Sequence, residues 1–278
     1  MIVIGSHDEP SLQKFSGLVN FQSCLFTNLD IEELDAPEKF AESQIFFGAK
    51  EMLTEGNYTG LVSPRFQERY PKWPSLEKID ELIEQKNLEF GPNSMVAPQA
   101  FSCRAKNLRY WIALQNLAHP GMGNLLSNLQ LINAVQNVKH KGTLVMGNTF
   151  IMSSLNAPDF LGKWMSITSQ LELNDESSYS YIYRCLKCGV TSENGVGRWR
   201  SNRHPSYLME RITALATFEF EQNRVFKIRN NRMIKRNLIP INLVTFQIIT
   251  LAHKLSVFLY KVTQRSCNHL HFQPGKLG

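Results

Sequence analysis

The chain has 278 residues, of which 43% are apolar and 19% charged. This excludes a disordered or collagen-like protein and leaves enough core to fold without disulfides or metal staples. A net charge of +6 and a pI near 9.0 favour anionic partners, whether nucleic acid, phosphorylated ligands or acidic lipid, without choosing among them.

The first elements follow from short apolar runs closed by turn formers. Ile2-Val3-Ile4 is a β-branched run ended by Gly5-Ser6 and reads as a buried parallel strand. Met1 to Asp8 lack the basic start and apolar stretch of a secretory signal. Ala36-Pro37-Glu38 opens a predicted helix to Thr54, with Phe40, Ile45, Phe46, Ala49, Met52 and Leu53 as its buried stripe, and Gly56-Asn57 stops it. Tyr58 to Ser63 reads as a strand. Ser75 is the N-cap of a helix through Gln85. Gly91-Pro92-Asn93 is a turn before a short strand, Ser94 to Ala97. Helical patterns cover Leu108–Leu117 and Met122–Val138, broken at His119-Pro120-Gly121. Gly142–Gly147 and Thr149–Met152 read as paired or consecutive strands, and helices follow over Pro158–Leu173 and Pro205–Gln222. This alternation predicts an α/β fold, a mostly parallel sheet with helices on both faces.

The chain changes character near residue 230, dividing it into a domain of residues 1–230 and a C-terminal basic and apolar helical extension of residues 231–278. Lys227, Arg229, Arg232, Lys235 and Arg236 precede an apolar stretch from Leu238 to Val262 in which His253 and Lys254 are adjacent. Two polar groups in mid-span argue against a transmembrane helix. Two readings stay open: a helix lying on an anionic membrane surface beside a basic cluster, or one packed on the domain with its basic prelude solvated. The five cysteines are odd in number and scattered, which predicts reduced thiols and a cytoplasmic protein, attached at most peripherally to the inner face of a membrane.

Three segments carry a resemblance. They are Phe40-Ala-Glu42 leading to Tyr58-Thr-Gly-Leu-Val-Ser-Pro-Arg65, then Met146-Gly-Asn-Thr-Phe-Ile-Met152 with the Trp164 helix, then His204-Pro-Ser-Tyr-Leu-Met-Glu210-Arg211. In this order, over residues 1 to 230, they resemble an uncharacterised bacterial family linked to capsular and surface polysaccharide synthesis, itself similar to GT-A glycosyltransferases. The resemblance implies a GT-A-like, Rossmann-related sheet, a nucleotide-sugar donor, a glycan or lipid-linked acceptor, and Mn2+ or Mg2+ as cofactor. The sequence departs from it at the strand end, where Val62-Ser-Pro-Arg65 stands in place of histidine-tyrosine-arginine-arginine. It also contains no Asp-x-Asp; the nearest pair, Asp30-x-Glu32, comes too early in the chain. Either metal is dispensed with, or other groups hold the donor phosphates, or the protein is inactive; no metal ligand is assigned.

Sugar transfer needs a general base for the acceptor hydroxyl, neutralisation of the leaving diphosphate, and alignment of the two substrates. Glu210 is the candidate base and Arg65, directly after a strand, the candidate phosphate clamp. His7 and Asp8 follow the first strand, where open sheets bind ligands, and with Asn148 are candidate donor contacts. His204 and Arg211 are candidate acceptor or phosphate contacts. Each has a plainer reading: Arg65 beside Glu68 on the surface, Asp8 a solvated loop acid, Asn148 a turn residue, Glu210-Arg211 an ordinary helix pair. Cys185-x-x-Cys188 lacks the second pair that zinc needs, and residues 189–203 read as a basic loop able to close over a donor. A non-catalytic relative that binds nucleotide or glycan is the alternative. A nucleic-acid binder, suggested by Arg198-Trp199-Arg200 alone, ranks third, so nucleic acid is not an expected partner.

Overall fold

Alternating apolar residues on short strands send successive side chains to opposite layers. The computed structural model describes all residues except 7, 33, 35, 36, 87, 89, 91–93, 119–121, 131–140, 172–203, 220–223, 230, 231, 236 and 263–278. Seven strands form one sheet: β1 (Ile2–Ser6), β2 (Phe21–Leu25), β3 (Tyr58–Val62), β4 (Ser94–Val96), β7 (Phe150–Ser153), β8 (Arg224–Arg229) and β9 (Arg232–Lys235), in the order β2-β1-β3-β7-β4-β8-β9. A second sheet, of order β10-β5-β6, contains β5 (Ala100–Arg104), β6 (Lys141–Val145) and β10 (Ile239–Ile241). Period-two alternation sets the layers. Val3, Leu61, Met95 and Phe150 enter one core, while Ile2, Ile4, Val62, Val96 and Ile151 enter the core on the other face.

The chain is therefore α/β, with a mixed sheet flanked by helices. β1 pairs in parallel with β2 and β3, and β4 with β8, but β7 lies antiparallel between β3 and β4 and β9 antiparallel beside β8. The expected mostly parallel sheet is corrected to a mixed one because β7 enters from the opposite direction. It does so because β6 and β7, though consecutive, belong to different sheets. The turn between them uses Gly147 at φ +72°, a conformation glycine adopts without steric cost.

The helices are α1 (Glu9–Gln13), α2 (Gln44–Gly48), α3 (Lys50–Thr54), α4 (Phe66–Arg69), α5 (Leu76–Glu84), α6 (Leu108–Ala118), α7 (Met122–Ser127), α8 (Ala157–Thr168), α9 (His204–Glu219) and α10 (Leu243–Val262). Ser75 caps α5 as its sequence predicts, its Oγ accepting from Lys78 N at 3.3 Å. Asp80 on α5 accepts from the backbone N–H groups of Val19 and Asn20, both at 2.8 Å, which fixes the chain entering β2. The single helix expected over 36–54 is instead a 3-10 turn, Pro37–Ser43, followed by α2 and α3. Ala41 at φ 47°, ψ −132° and Ala49 at φ −144° break it. A non-glycine residue at positive φ is strained, and Ala41 immediately precedes Glu42 and Ser43, both part of the site described below.

α9 is buried along most of its length: Leu208, Met209, Ile212, Leu215 and Phe218 are each at most 1% exposed, as expected of a central helix rather than a surface one, and Glu210 is half-buried where it reaches the cleft described below. Gly142 lets β6 lie against it, since a Cβ there would fall 2.2 Å from Phe218 O. α8 packs on the same core through Trp164, whose ring centroid is 4.6 Å from that of Phe46. Cys24 and Cys103 are buried free thiols, pushed by burial up to about 11 and about 12.

The region after residue 224 differs from the expected basic prelude and helix. Its cations are interspersed with apolar residues along β8 and β9, which pair antiparallel, and β10 pairs in parallel with β5, so the boundary placed at 230 falls inside a hairpin. Among the described residues no helix is long and apolar enough to cross a membrane. The turn at 91–93, the pair Cys185 and Cys188, the loop at 189–203 and the tail after Val262 lie outside the described residues.

Candidate functional site

The carboxyl ends of β1, β3 and β4 and the start of β7 share one edge of the large sheet. Since the chain passes from β1 out to β2 and back to β3 on the other side of β1, this edge contains a topological switch point, where open α/β sheets place ligands. A cleft of about 190 Å³ opens on the same edge, beside the switch point, over the ends of β3 and β4. Its floor is Ser63 after β3, Gln99 after β4, and the turn from Met146 to Thr149; its charged wall is Glu42, Arg69, Glu210 and Arg211, with Tyr70 beside them.

Each charged group is held by a partner of opposite sign. Arg211 on α9 is 8% exposed; its Nη1 donates to Glu210 Oε2 at 2.9 Å and to Tyr207 O at 3.1 Å, and its Nε donates to Gln115 Oε1 at 3.0 Å. Gln115 is fixed in turn by donating to Trp111 O at 3.1 Å. Arg69, one turn into α4, pairs with Glu42 at 3.3 Å and leaves 39% of its side chain exposed. Burial pushes the Glu210 carboxyl above the usual glutamate range; Arg211 opposes the rise, Glu42 adds to it and Arg69 opposes it. Burial likewise raises the Tyr70 hydroxyl, against a hydrogen bond with Thr149.

Asn148 joins the cleft to the core. Its Nδ2 donates to Ser43 Oγ at 2.7 Å, its Oδ1 accepts from Thr213 Oγ1 at 2.7 Å, and Thr213 Oγ1 accepts from Trp164 Nε1 at 3.2 Å. This relay clamps the strained turn at Ala41–Ser43 against α9, so the spacing of Glu42 and Glu210 is fixed from behind. Asn148 is thus more than a turn residue, and much of its hydrogen-bonding capacity is used within the protein.

Of the residues predicted from sequence, the structure brings Asn148, Glu210 and Arg211 together. Arg65 does not line the cleft: it is exposed at the start of α4, its backbone N–H donating to Ser63 Oγ at 3.3 Å. Asp8 is also exposed and accepts from the Ser11 hydroxyl at the start of α1. His204 opens α9, with its side chain outside the described residues, as is His7. Arg69 and Tyr70 are not predicted from the sequence as site members, and Glu42 stands in a segment of the resemblance without a role predicted for it. Arg69 stands four residues after Arg65, hence on the same face of a helical turn, the one signal that could have found it.

A divalent cation does not fit this donor set. Among the described residues no three His, Cys, Asp or Glu side chains gather to hold a metal, and each cleft carboxylate faces a guanidinium. What the arrangement offers is a carboxylate able to take a proton beside two guanidinium groups able to meet an anion. No protein-family model, curated protein or solved structure matches this chain.

Proposed function

We propose that the protein is a glycosyltransferase moving a sugar from a nucleotide-sugar donor to a hydroxyl of a glycan or lipid-linked acceptor, with the cleft under Glu210 as its reaction site. One observation carries the reading: Glu210, its carboxyl raised by burial, lies with Arg69, Arg211 and Tyr70 in one cleft at the sheet's carboxyl edge. The GT-A-like resemblance of Phe40–Glu42, Met146–Met152 and His204–Arg211 supports it, because those segments supply Glu42, Asn148, Glu210 and Arg211.

The chemistry follows from the groups. Glu210 Oε2 is held by Arg211, which orients the carboxylate, while Oε1 has no partner among the described residues. The carboxylate accepts the acceptor hydroxyl's proton as the new bond to the anomeric carbon forms, and the bond to the diphosphate oxygen breaks with its electron pair leaving on the diphosphate. Arg69, half out in solvent, meets that developing charge in the bidentate manner of guanidinium and phosphate. A volume of about 190 Å³ is smaller than the ~300–1,000 Å³ of sites that enclose a whole cofactor. The cleft therefore takes the sugar and its adjoining phosphate, and the nucleoside extends toward Asp8 and Arg65 at the ends of β1 and β3.

The test is a thermal-shift panel of nucleotide-sugars with and without manganese, followed by donor turnover in variants. One donor raises the melting temperature. Glu210→Gln keeps that shift but lowers turnover by about 10²–10⁴, and Arg69→Ala weakens the shift itself. The acid limb of the pH–rate profile lies above the ordinary glutamate range and disappears in Glu210→Gln. Full turnover in Glu210→Gln would sink the assignment. A second reading, a nucleotide- or glycan-binding protein without turnover, is favoured by the ion pairing of both cleft carboxylates and the missing Asp-x-Asp; a donor shift with no turnover in the parent protein would select it.

A further inference from the structure

The charge of this protein is divided unevenly. Residues 90–158 and 222–278 contain fifteen Lys and Arg and no Asp or Glu, whereas the rest of the chain contains fifteen against all 24 acids. The two acid-free stretches build the whole of the β10-β5-β6 sheet together with α6 and α10. On this lobe Arg104, Lys106, Arg109, Lys141 and Lys254 are exposed, and none pairs with a carboxylate among the described residues. Three of them, Arg104, Lys106 and Lys141, line a groove of about 470 Å³ that runs to Asn242, Leu243 and Val244 at the start of α10.

α10 sits on the lobe by the face that carries Phe246. Phe246 stacks on Tyr110 of α6 at 5.6 Å between ring centroids, and Asn242 caps the helix, its Oδ1 accepting from Thr245 N at 2.9 Å. The opposite face shows Val244, Ile248, Leu251 and Leu255, which are 61%, 61%, 68% and 54% exposed. Spacings of four, three and four residues align them in one apolar stripe about 17 Å long. Lys254 borders it, and Leu243, 46% exposed, joins it to the cationic groove. Scattered apolar residues on a surface need no explanation, but a continuous stripe does.

We propose that this face docks on an anionic phospholipid surface, the stripe of α10 entering the acyl boundary while Arg104, Lys106 and Lys141 take lipid phosphates. The helix lies on the membrane and does not span it, in keeping with the absence of a membrane-crossing helix among the described residues. Charge decides among occupants. A second copy of the chain packed stripe to stripe would set two acid-free lobes against each other, and like charges so placed repel. A nucleic acid would use the cations but leave the stripe in water.

The test is co-sedimentation of the full chain with vesicles of phosphatidylcholine alone and of phosphatidylcholine and phosphatidylglycerol in equal parts, at low and high salt. The protein sediments with the mixed vesicles only, and less at high salt. Removing each cation weakens partitioning about fivefold, so Arg104→Gln, Lys106→Gln and Lys141→Gln together weaken it about a hundredfold. Ile248→Gln with Leu251→Gln, both on solvent-exposed positions, weakens it at least about tenfold at an unchanged melting temperature. Three outcomes would overturn the proposal: a folded parent chain that ignores the mixed vesicles; binding that survives the stripe substitutions and is competed away by single-stranded RNA; or self-association that the stripe substitutions dissolve without any vesicle binding.

Discussion

The cleft and the α10 lobe treat charge in opposite ways. In the cleft Glu210 meets Arg211 and Glu42 meets Arg69, on side chains braced from behind by Gln115, Asn148 and Thr213. On the lobe the cations stand exposed, with no carboxylate partner among the described residues. Charges paired and braced within a fold hold a geometry, whereas cations left unpaired beside an apolar stripe await a partner from outside. β6 links the two regions, opening at Lys141 beside the groove and ending one residue before Met146 in the cleft, a span of roughly 17 Å along the strand.

The sharpest way to break the comparison is to truncate one apolar side chain in each region. Trp164 is fully buried against Phe46 and donates to Thr213; Trp164→Ala costs about 3–5 kcal/mol of unfolding free energy, measured by denaturant titration. Leu251 is 68% exposed, and Leu251→Ala stays within about 0.5 kcal/mol of the parent. A comparable loss at Leu251 would make the stripe part of the core and end its role as a free surface.

A polar substitution in each region follows at smaller size. Asn148→Ala leaves Ser43 and Thr213 without their buried partner and costs about 1–3 kcal/mol, read from the same titration, and lowers any donor-induced shift because the turn carrying Glu42 loosens. Thr250 on α10 has a buried hydroxyl oxygen with no hydrogen-bond partner among the described residues. Thr250→Val removes that unsatisfied group at nearly constant shape and raises stability by up to about 1 kcal/mol. The two changes should differ in sign; a loss at both positions would mean that Thr250 is also braced.

Which elements the sequence reveals follows from where their information lies. β1, β3, β4, α5, α8 and α9 are legible because apolar runs, caps and breakers are local signals: Ile2-Val3-Ile4 marks β1, Ser75 caps α5 and Pro158 opens α8. β2 is not legible, because Phe21-Gln-Ser-Cys-Leu25 is short and part polar, and it becomes a strand through its parallel pairing with β1. β8 and β9 read as a basic cluster because Arg224-Val-Phe-Lys-Ile-Arg229 has no clean period of two; they become strands through their antiparallel pairing. The break of the 36–54 helix is tertiary, since nothing local in Phe40-Ala-Glu42-Ser43 announces a positive φ at Ala41. At the site, Glu210, Arg211 and Asn148 are legible because they stand in the segments that carry the family resemblance. Arg69 is not, because its role depends on how α4 turns it toward Glu42, and Arg65 draws the assignment by standing closer to the end of β3.

The smallest effect expected is Glu210's own contribution to stability, and its sign tests whether burial or pairing governs the cleft. Burial raises the carboxyl, with Arg211 opposing it. A raised acid binds its proton more tightly in the folded chain than in the unfolded one. Between the ordinary glutamate value of about 4.3 and the raised folded value, the folded state thus holds the greater number of protons. Stability then falls as pH rises through that window and levels off above it. Glu210→Gln has no such titration, so the parent's melting temperature, compared with that of Glu210→Gln at each pH, drops as pH rises out of the ordinary glutamate range. A carboxylate governed by its guanidinium would be depressed instead, and the parent would lose stability relative to Glu210→Gln as pH falls. The first slope leaves Glu210 able to accept a proton from an acceptor hydroxyl. The second would make Glu210–Arg211 a structural ion pair and shift the balance to the binding protein without turnover.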